Sequence, residues 1–418
     1  MKKLFFILLA IAALATTVIT ISKRNVSNSS ASKMASNTIL KVKYFNIDNT
    51  KILALGKSLN WKDKMNMSFL PIYANAIFES QTQIPNEINE KFPEIYDFIA
   101  GYSSTHTGEL NIGQSYFKKL ESQSTFATFG KIGVLEKYSY IKDITSLCNE
   151  VKNYKNSSDF SDQYAIELLT DFELECLVGS GEYEKARNVI VGYKPNDIND
   201  QYKKNIILIN IFNLTGKYQE SKQLIDETKT KYGITEAVIL EEANLYALRD
   251  GFKIAVDFLG KNLINQSFLL NQKYAMYLAN SNVSESSAAI RILEGAVNDR
   301  PFDIDAKLTL AHYSFDYGYK KQLDESFASL VNIKDIEAFS NFNLLEAKMA
   351  LIKKNYLETD SKLKQTEAKN PYGKQYLWFA YQYNNLIKQH DKALMFLNKY
   401  LQLEPNNQNV KNIILKNN

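Results

Sequence analysis

The sequence predicts an all-α solenoid built from helix-turn-helix units of about 34 residues. Three observations lead there. Only 16 Gly and 7 Pro occur in 418 residues, too few for the many turns of a sandwich or barrel of this length. Hydrophobic residues make up 45% and charged residues 23%, enough to bury a core and too apolar for disorder. From about Phe160 onward, one phrase returns at a nearly fixed step: a Gly or polar turn, an aromatic residue, then a small residue in an apolar run.

The first segment reads as an address. Lys2 and Lys3 precede an apolar run from Leu4 to Ile21, closed by Lys23 and Arg24, the pattern of a secretory signal. As a helix at ~1.5 Å per residue the run spans about 27 Å, close to a hydrocarbon core of about 30 Å. It has no polar face, which argues against a buried core helix. Cleavage at Ala13-Leu14-Ala15 would leave the hydrophobic Thr16–Ile21 behind it, so an uncleaved anchor is favoured over a removed signal. The excess of positive charge before the run is slight and points residues 25–418 out of the cytoplasm. Residues 1–24 are therefore a signal or N-terminal membrane anchor. Residues 25–60 form a tether rich in Ser and Asn at its start, with a short strand or loose helix expected within Thr38–Asn60.

Residues 61–160 read as degenerate helical repeats. Trp61–Glu79 is expected to cap the array, disturbed by Pro71. Gly101 and Gly113 stand where two helices would cross, with Gly108 in the turn and Phe117 in the next apolar slot. Thr125–Lys152 supplies a further pair, and Asn153–Asp162 an inserted loop.

Residues 161–418 carry the regular repeats and a C-terminal cap. The small slot falls at Ala186, Ser221, Ala255, Ala289, Leu323, Thr359 and Ala393, in steps of 34 to 36 residues. Twelve residues upstream lie Leu174, Ile209, Ala243, Tyr277, Ala311, Ala347 and Tyr381. Four residues downstream lie Ile190, Ile225, Leu259, Leu293, Phe327, Leu363 and Leu397, all apolar, as a packing face requires. Pro301, Pro371 and Pro405 each close a second helix. Val410–Leu415 is a short apolar turn able to cover the last repeat.

At these residues the chain resembles the tetratricopeptide repeat family over about 160–410. It departs from that pattern at Leu323 and Thr359, which replace the small residue, and in lacking the signature Trp of most first helices. The resemblance implies a right-handed superhelix whose first helices line a concave groove, and a protein or peptide partner bound in it. Carried onto this sequence, the inward row holds Glu175, Asn210, Asn244, Leu278, His312, Lys348 and Gln382, six of the seven polar, beside a mostly apolar row containing Trp378. A polar row next to an apolar one suits an extended or helical peptide.

The sequence offers no catalytic constellation. His106, His312 and His390 are far apart, and no phosphate loop, nucleophile elbow, HExxH or CxxC occurs. No catalytic, cofactor-binding or metal-binding residue is expected, and the chain reads as a non-enzyme. The adjacent carboxylates Glu173 and Glu175, and Glu241 and Glu242, read as solvated faces. Cys148 and Cys176 read first as two buried thiols, with a disulfide as the alternative if residues 25–418 lie outside the cytoplasm. A net charge of +4 with no dense basic cluster excludes a nucleic-acid partner.

The functional expectation is a protein–protein interaction scaffold of the bacterial cell envelope, assisting assembly or recruitment. The bacterial source is read from the Lys, Asn and Ile abundance of an AT-rich genome. It would be anchored in the inner membrane through its N-terminal segment and face the periplasm or exterior, or be secreted there if the signal is cleaved. The alternative is a carbohydrate-handling export or regulatory protein, which would need exposed groove aromatics such as Trp378. The sequence leaves the oligomeric state open.

Overall fold

The computed structural model describes residues 49–58, 66–123, 126–157, 160, 163–195, 198–262 and 267–417. The expected anchor and most of the expected tether lie outside the described residues. Among the described residues every regular element is a helix, and no helix is long and apolar enough to cross a membrane.

Among the described residues three helices lead the array: α1 (Asn49–Ser58), α2 (Asn66–Glu79) and the short α3 (Asn86–Lys91). The part of Thr38–Asn60 that is described is thus helical, not a strand, and α2 runs through Pro71. Nine antiparallel pairs follow. The first three are α4 and α5 (Pro93–His106, Leu110–Glu121), α6 and α7 (Ala127–Tyr140, Ile144–Tyr154), and α8 and α9 (Gln163–Gly179, Tyr183–Gly192). The middle three are α10 and α11 (Ile198–Leu214, Tyr218–Tyr232), α12 and α13 (Glu236–Arg249, Phe252–Asn262), and α14 and α15 (Phe268–Ser281, Ser286–Asp299). The last three are α16 and α17 (Ile304–Asp316, Lys320–Leu330), α18 and α19 (Ser340–Ile352, Tyr356–Lys369), and α20 and α21 (Lys374–Leu386, His390–Leu403). The expected apolar turn at the end is a helix, α22 (Gln408–Asn417), which buries Val410. The pairs stack in chain order as a solenoid of helix-turn-helix repeats.

The repeat slots explain how each pair packs. Ala186, Ser221, Ala255, Ala289, Leu323, Thr359 and Ala393 are all buried. Each crossing matches at least one small side chain against its opposite, as in Leu323 against the slot of Ala311 and Ala393 against that of Tyr381. Close packing tolerates either partner being large, provided the other gives way. Polar anchors spend their hydroxyls locally: Ser221 Oγ donates to Asn213 Oδ1 at 2.6 Å, and Thr359 Oγ1 to Asn355 O at 2.9 Å. The first pair crosses closely. A Cβ on Gly101 would stand 2.6 Å from the Phe117 ring, and one on Gly113 would stand 2.8 Å from Gly101 O.

The chain then meets itself. The turns inside early pairs pack against the loops between late pairs, forming a seam one superhelical turn apart. Arg300 Nη2 reaches Glu79 at 3.1 Å, Asn111 N donates to Asp335 Oδ2 at 3.1 Å, and Tyr183 Oη donates to Leu403 O at 2.7 Å. Their sequence separations are 221, 224 and 220 residues, so one turn takes roughly six to seven repeats. Between these points Asp335 N donates to Gly108 O and Ser340 N to Ile141 O, both at 3.0 Å. Apolar contacts fill the rest, with Phe78 edge-on to Phe302 and Tyr140 edge-on to Phe339.

Cys148 of α7 and Cys176 of α8 form a disulfide, with Cα atoms 5.6 Å apart. This overturns the reading of two buried thiols: the second helix of one pair and the first helix of the next bring the sulfurs together across the inserted loop. The bridge closes a 28-residue separation, worth roughly 3–4 kcal/mol in a chain-entropy account.

Gly108 and Gly318 give a matched test of the seam. Both sit in turns with positive φ, at 83° and 78°. A Cβ on Gly108 would come 2.2 Å from Ile333 Cγ2 across the seam, whereas one on Gly318 meets nothing within 4 Å. Gly318→Ala should cost about 1 kcal/mol of conformational strain. Gly108→Ala should cost about 1–3 kcal/mol more by overpacking, as read by urea denaturation. Equal losses would mean that the seam does not load Gly108.

Candidate functional site

The inner wall of the superhelix is made by the first helix of each pair, and its polar side chains bond to one another one repeat apart. Ser139 Oγ donates to Glu175 Oε2 at 2.7 Å, and Lys203 Nζ lies 3.0 Å from Glu167 and 2.6 Å from Asp171. Burial works against the Lys203 charge, but Asp171 and Glu167 outweigh it and hold its pKa above the usual lysine value. Further along, Asn280 Nδ2 donates to Tyr313 Oη at 3.2 Å and Gln272 Nε2 to Thr309 Oγ1 at 3.3 Å. Lys348 Nζ meets Asp316 Oδ1 at 2.6 Å. These rungs satisfy groups that would otherwise be costly to enclose.

Two of the predicted groove residues converge on a single carboxylate. Asn210 Nδ2 donates to Glu241 at 3.1 and 3.2 Å, and Asn213 Nδ2 donates to Glu241 Oε2 at 3.1 Å. Asn244 also bonds Glu241 and accepts from Tyr277 Oη through its carbonyl oxygen. Enclosure pushes the Glu241 pKa up, opposed by the amides of Asn244, Asn210 and Asn213. Burial lowers that of Lys273, opposed by the Glu241 charge. The Lys273 ammonium stands 4.9 Å from the Tyr277 ring centre.

The remaining predicted residues are placed differently. His312 and Lys348 are buried, His312 Nε2 lying 2.9 Å from Asn341 O, so neither faces an open groove. Burial, followed by the nearby Lys348 charge, lowers the His312 pKa well below the usual value. Gln382 is exposed. Trp378 is half-buried, with Tyr381 and Tyr400 ring centres at 5.4 and 6.0 Å. Asn210 and Asn244 are already bonded within the chain rather than free for a peptide backbone.

The carboxylates read as solvated faces also have partners. Glu242 is buried against Lys222 and Lys229, Glu173 pairs with Lys155 at 2.7 Å, and Glu175 approaches Lys142 at 3.5 Å. Neighbouring positions on a helix point in different directions, so Glu241 faces the lumen while Glu242 faces the packing side. His106 is stacked between Tyr102 and Tyr140, with ring centres at 4.1 and 4.0 Å, and His390 is exposed. Among the described residues no cluster of His, Cys, Asp or Glu could hold a metal ion.

The open site lies on the seam. A cleft of about 300 Å³ is bounded on one side by Ile144, Glu175, Val178, Gly179, Tyr183 and Leu214, and on the other by Asn370, Tyr372, Gly373, Lys374 and Leu403. Its lining is mainly apolar, with one acid and one base. Lys374 also pairs with Glu404 at 2.9 Å. Sequence reasoning missed this site, because its two walls are separated by some two hundred residues and share no motif.

No protein-family model matches the chain, and no curated protein matches it by sequence. Solved structures with a likeness of fold include the APC/C hetero-tetramer Cut9–Hcn1, at 11% identity over 85% of this chain and 76% of that chain, TM-score 0.38. Human IFIT1, in a dimer with PPP-AAAA, is 14% identical over 84% of this chain and 90% of that chain, TM-score 0.43. Yeast Tom70 is 14% identical over 85% and 77%, TM-score 0.32.

The Glu241 cluster yields a pH test. Enclosure raises the folded-state pKa, so the charged form opposes folding above that pKa and the penalty is relieved as pH falls through it. Asn210→Ala removes a donor from the charged form and pushes the pKa higher still. Its cost, roughly 1.5–3 kcal/mol when Glu241 is ionised, should be larger at pH 8 than at pH 5 in urea melts. The same cost at both pH values would mean that Asn210 does not stabilise the Glu241 charge.

Proposed function

We propose that the chain is a bacterial envelope scaffold, not an enzyme, which takes a short apolar segment of a partner protein into the seam cleft. The cleft carries this reading: it is open, mostly apolar, and offers Glu175 and Lys374 to fix the orientation of a backbone or side chain. The partner-binding position thus moves from the expected groove row to the place where the two superhelical turns meet. The Cys148–Cys176 bridge supports a location outside the cytoplasm, since reducing compartments keep such thiols unpaired. The positive start and apolar run of residues 1–24 support membrane attachment. The carbohydrate alternative gains nothing from Trp378, which packs against Tyr381 and Tyr400.

Gly179→Leu should fill the cleft without strain, because a Cβ there meets only Ile144 Cγ2 at 3.9 Å. In pull-downs from detergent-solubilised membranes, this variant should lose a partner that the wild type and Glu220→Ala both recover, with its melting temperature unchanged. A reporter active only after export, fused after residue 418, should be active. Retention of every partner by Gly179→Leu would remove the cleft from the account, and activity of a cytoplasmic reporter alone would remove the location.

A further inference from the structure

We propose that copies of this chain associate head to tail, the turn edge of the late pairs in one copy docking on the loop edge of the middle pairs in another. The geometry of the internal seam supplies the rule. There, residues just before the crossing position of a second helix meet residues ten to thirteen after the crossing position of a later one. Asn111, two before Gly113, bonds Asp335, twelve after Leu323. Tyr183, three before Ala186, bonds Leu403, ten after Ala393. Gly108, five before Gly113, faces Ile333, ten after Leu323, so closely that a Cβ on it would stand 2.2 Å from Ile333 Cγ2. At these points the seam joins a turn edge to a loop edge.

Both kinds of edge recur elsewhere in the molecule without a cover among the described residues. On the turn edge of pairs α18–α19 and α20–α21, Tyr356 and Leu357 stand three and two before Thr359, and are 45% and 85% exposed. Ile352 and Leu386, at the ends of the two first helices, are 57% and 60% exposed. Tyr383 Oη donates to Tyr356 O at 3.2 Å, which ties the two pairs into one surface. On the loop edge, Ile234 stands thirteen after Ser221, the slot that Phe302 occupies after Ala289. Phe302 packs on Phe78 across the internal seam, whereas Ile234 is 64% exposed.

A turn edge with apolar side chains and a loop edge with an apolar side chain in the seam slot are therefore both present in one copy. They lie at positions that no intramolecular contact brings together. A second copy offers each edge the counterpart it has inside the chain. Because the two edges differ, the contact is heterologous, building rings or open chains rather than a closed face-to-face dimer. The clustered exposure of Leu357, Ile352 and Leu386 fits an interaction surface better than scattered apolar residues would.

The test uses the full chain in detergent, in two versions carrying Leu357→Cys and Ile234→Cys. The native cysteines are paired with each other and do not compete. Mild oxidation of the mixture should give a cross-linked pair containing one of each version, and a single chain carrying both changes should give multimers. Leu357→Asp, with helicity unchanged, should lower co-purification of two differently tagged copies about tenfold or more, because a buried unpaired carboxylate is heavily penalised. Cross-linking of Leu357→Cys only with itself would overturn the head-to-tail arrangement in favour of a face-to-face one. A monodisperse single copy with no cross-link would overturn self-association altogether.

Discussion

The structure depends on the contact that the chain makes with itself one superhelical turn later. A helical-repeat array is ordinarily held by nearest neighbours, so each unit knows only the unit before and after it. Here Arg300 with Glu79, Asp335 with Asn111, and Leu403 with Tyr183 couple repeats some 220 residues apart. Such contacts carry a loop-closure cost that grows only slowly with chain length. Apolar pairs such as Phe78–Phe302 and Tyr140–Phe339 offset it. Two consequences follow. The cleft exists only because the turns before Ile144 and Tyr183 stand opposite the loops at Tyr372 and Leu403. The inner wall is also crowded enough that the Glu241 carboxyl and the Lys273 ammonium feel enclosure more than water.

That enclosure explains the polar rungs. A wide groove could leave Asn, Lys and His side chains hydrated and available to a partner. A tight superhelix cannot, so Lys203 is clasped by Glu167 and Asp171, Lys348 by Asp316, and Glu241 by three amides. Apart from the Asn244–Glu241 bond within α12, these rungs span adjacent first helices and fix their stagger, adding directional specificity to an otherwise apolar stack. The disulfide does similar work between α7 and α8, where an inserted loop interrupts the regular run.

Much of the fold was legible in the sequence because packing slots leave a period. The crossing residues from Ala186 to Ala393 are buried, and the Gly101 and Gly113 crossing has no room for a Cβ on either residue. The seam left no such trace. Gly108 and Ile333, or Tyr183 and Leu403, obey no spacing that distinguishes them from other turn and loop residues. The internal partners of the predicted groove residues were hidden for a related reason. Placing Asn210, Asn244, His312 and Lys348 on an inward row was a statement about helix direction, and it said nothing about how tightly the superhelix closes around that row. Once it closes, the amides find Glu241, and His312 and Lys348 find burial. The cysteines were legible as neighbours in adjoining helices, but whether the sulfurs meet depends on the angle between α7 and α8, which no residue pattern encodes.

Hydrogen exchange at the amide of Ser340 tests seam closure most directly. Ser340 is the first residue of α18, where a helix leaves its N–H groups without intrahelical acceptors. Its partner is Ile141 O across the seam, at 3.0 Å. In a closed superhelix this amide should be protected, and the protection should fall in Gly108→Ala while that of amides in the middle of α18 is retained. Exchange at Ser340 as fast as in an unstructured peptide, in an otherwise helical protein, would contradict the closure on which the cleft and the enclosed Glu241 cluster depend.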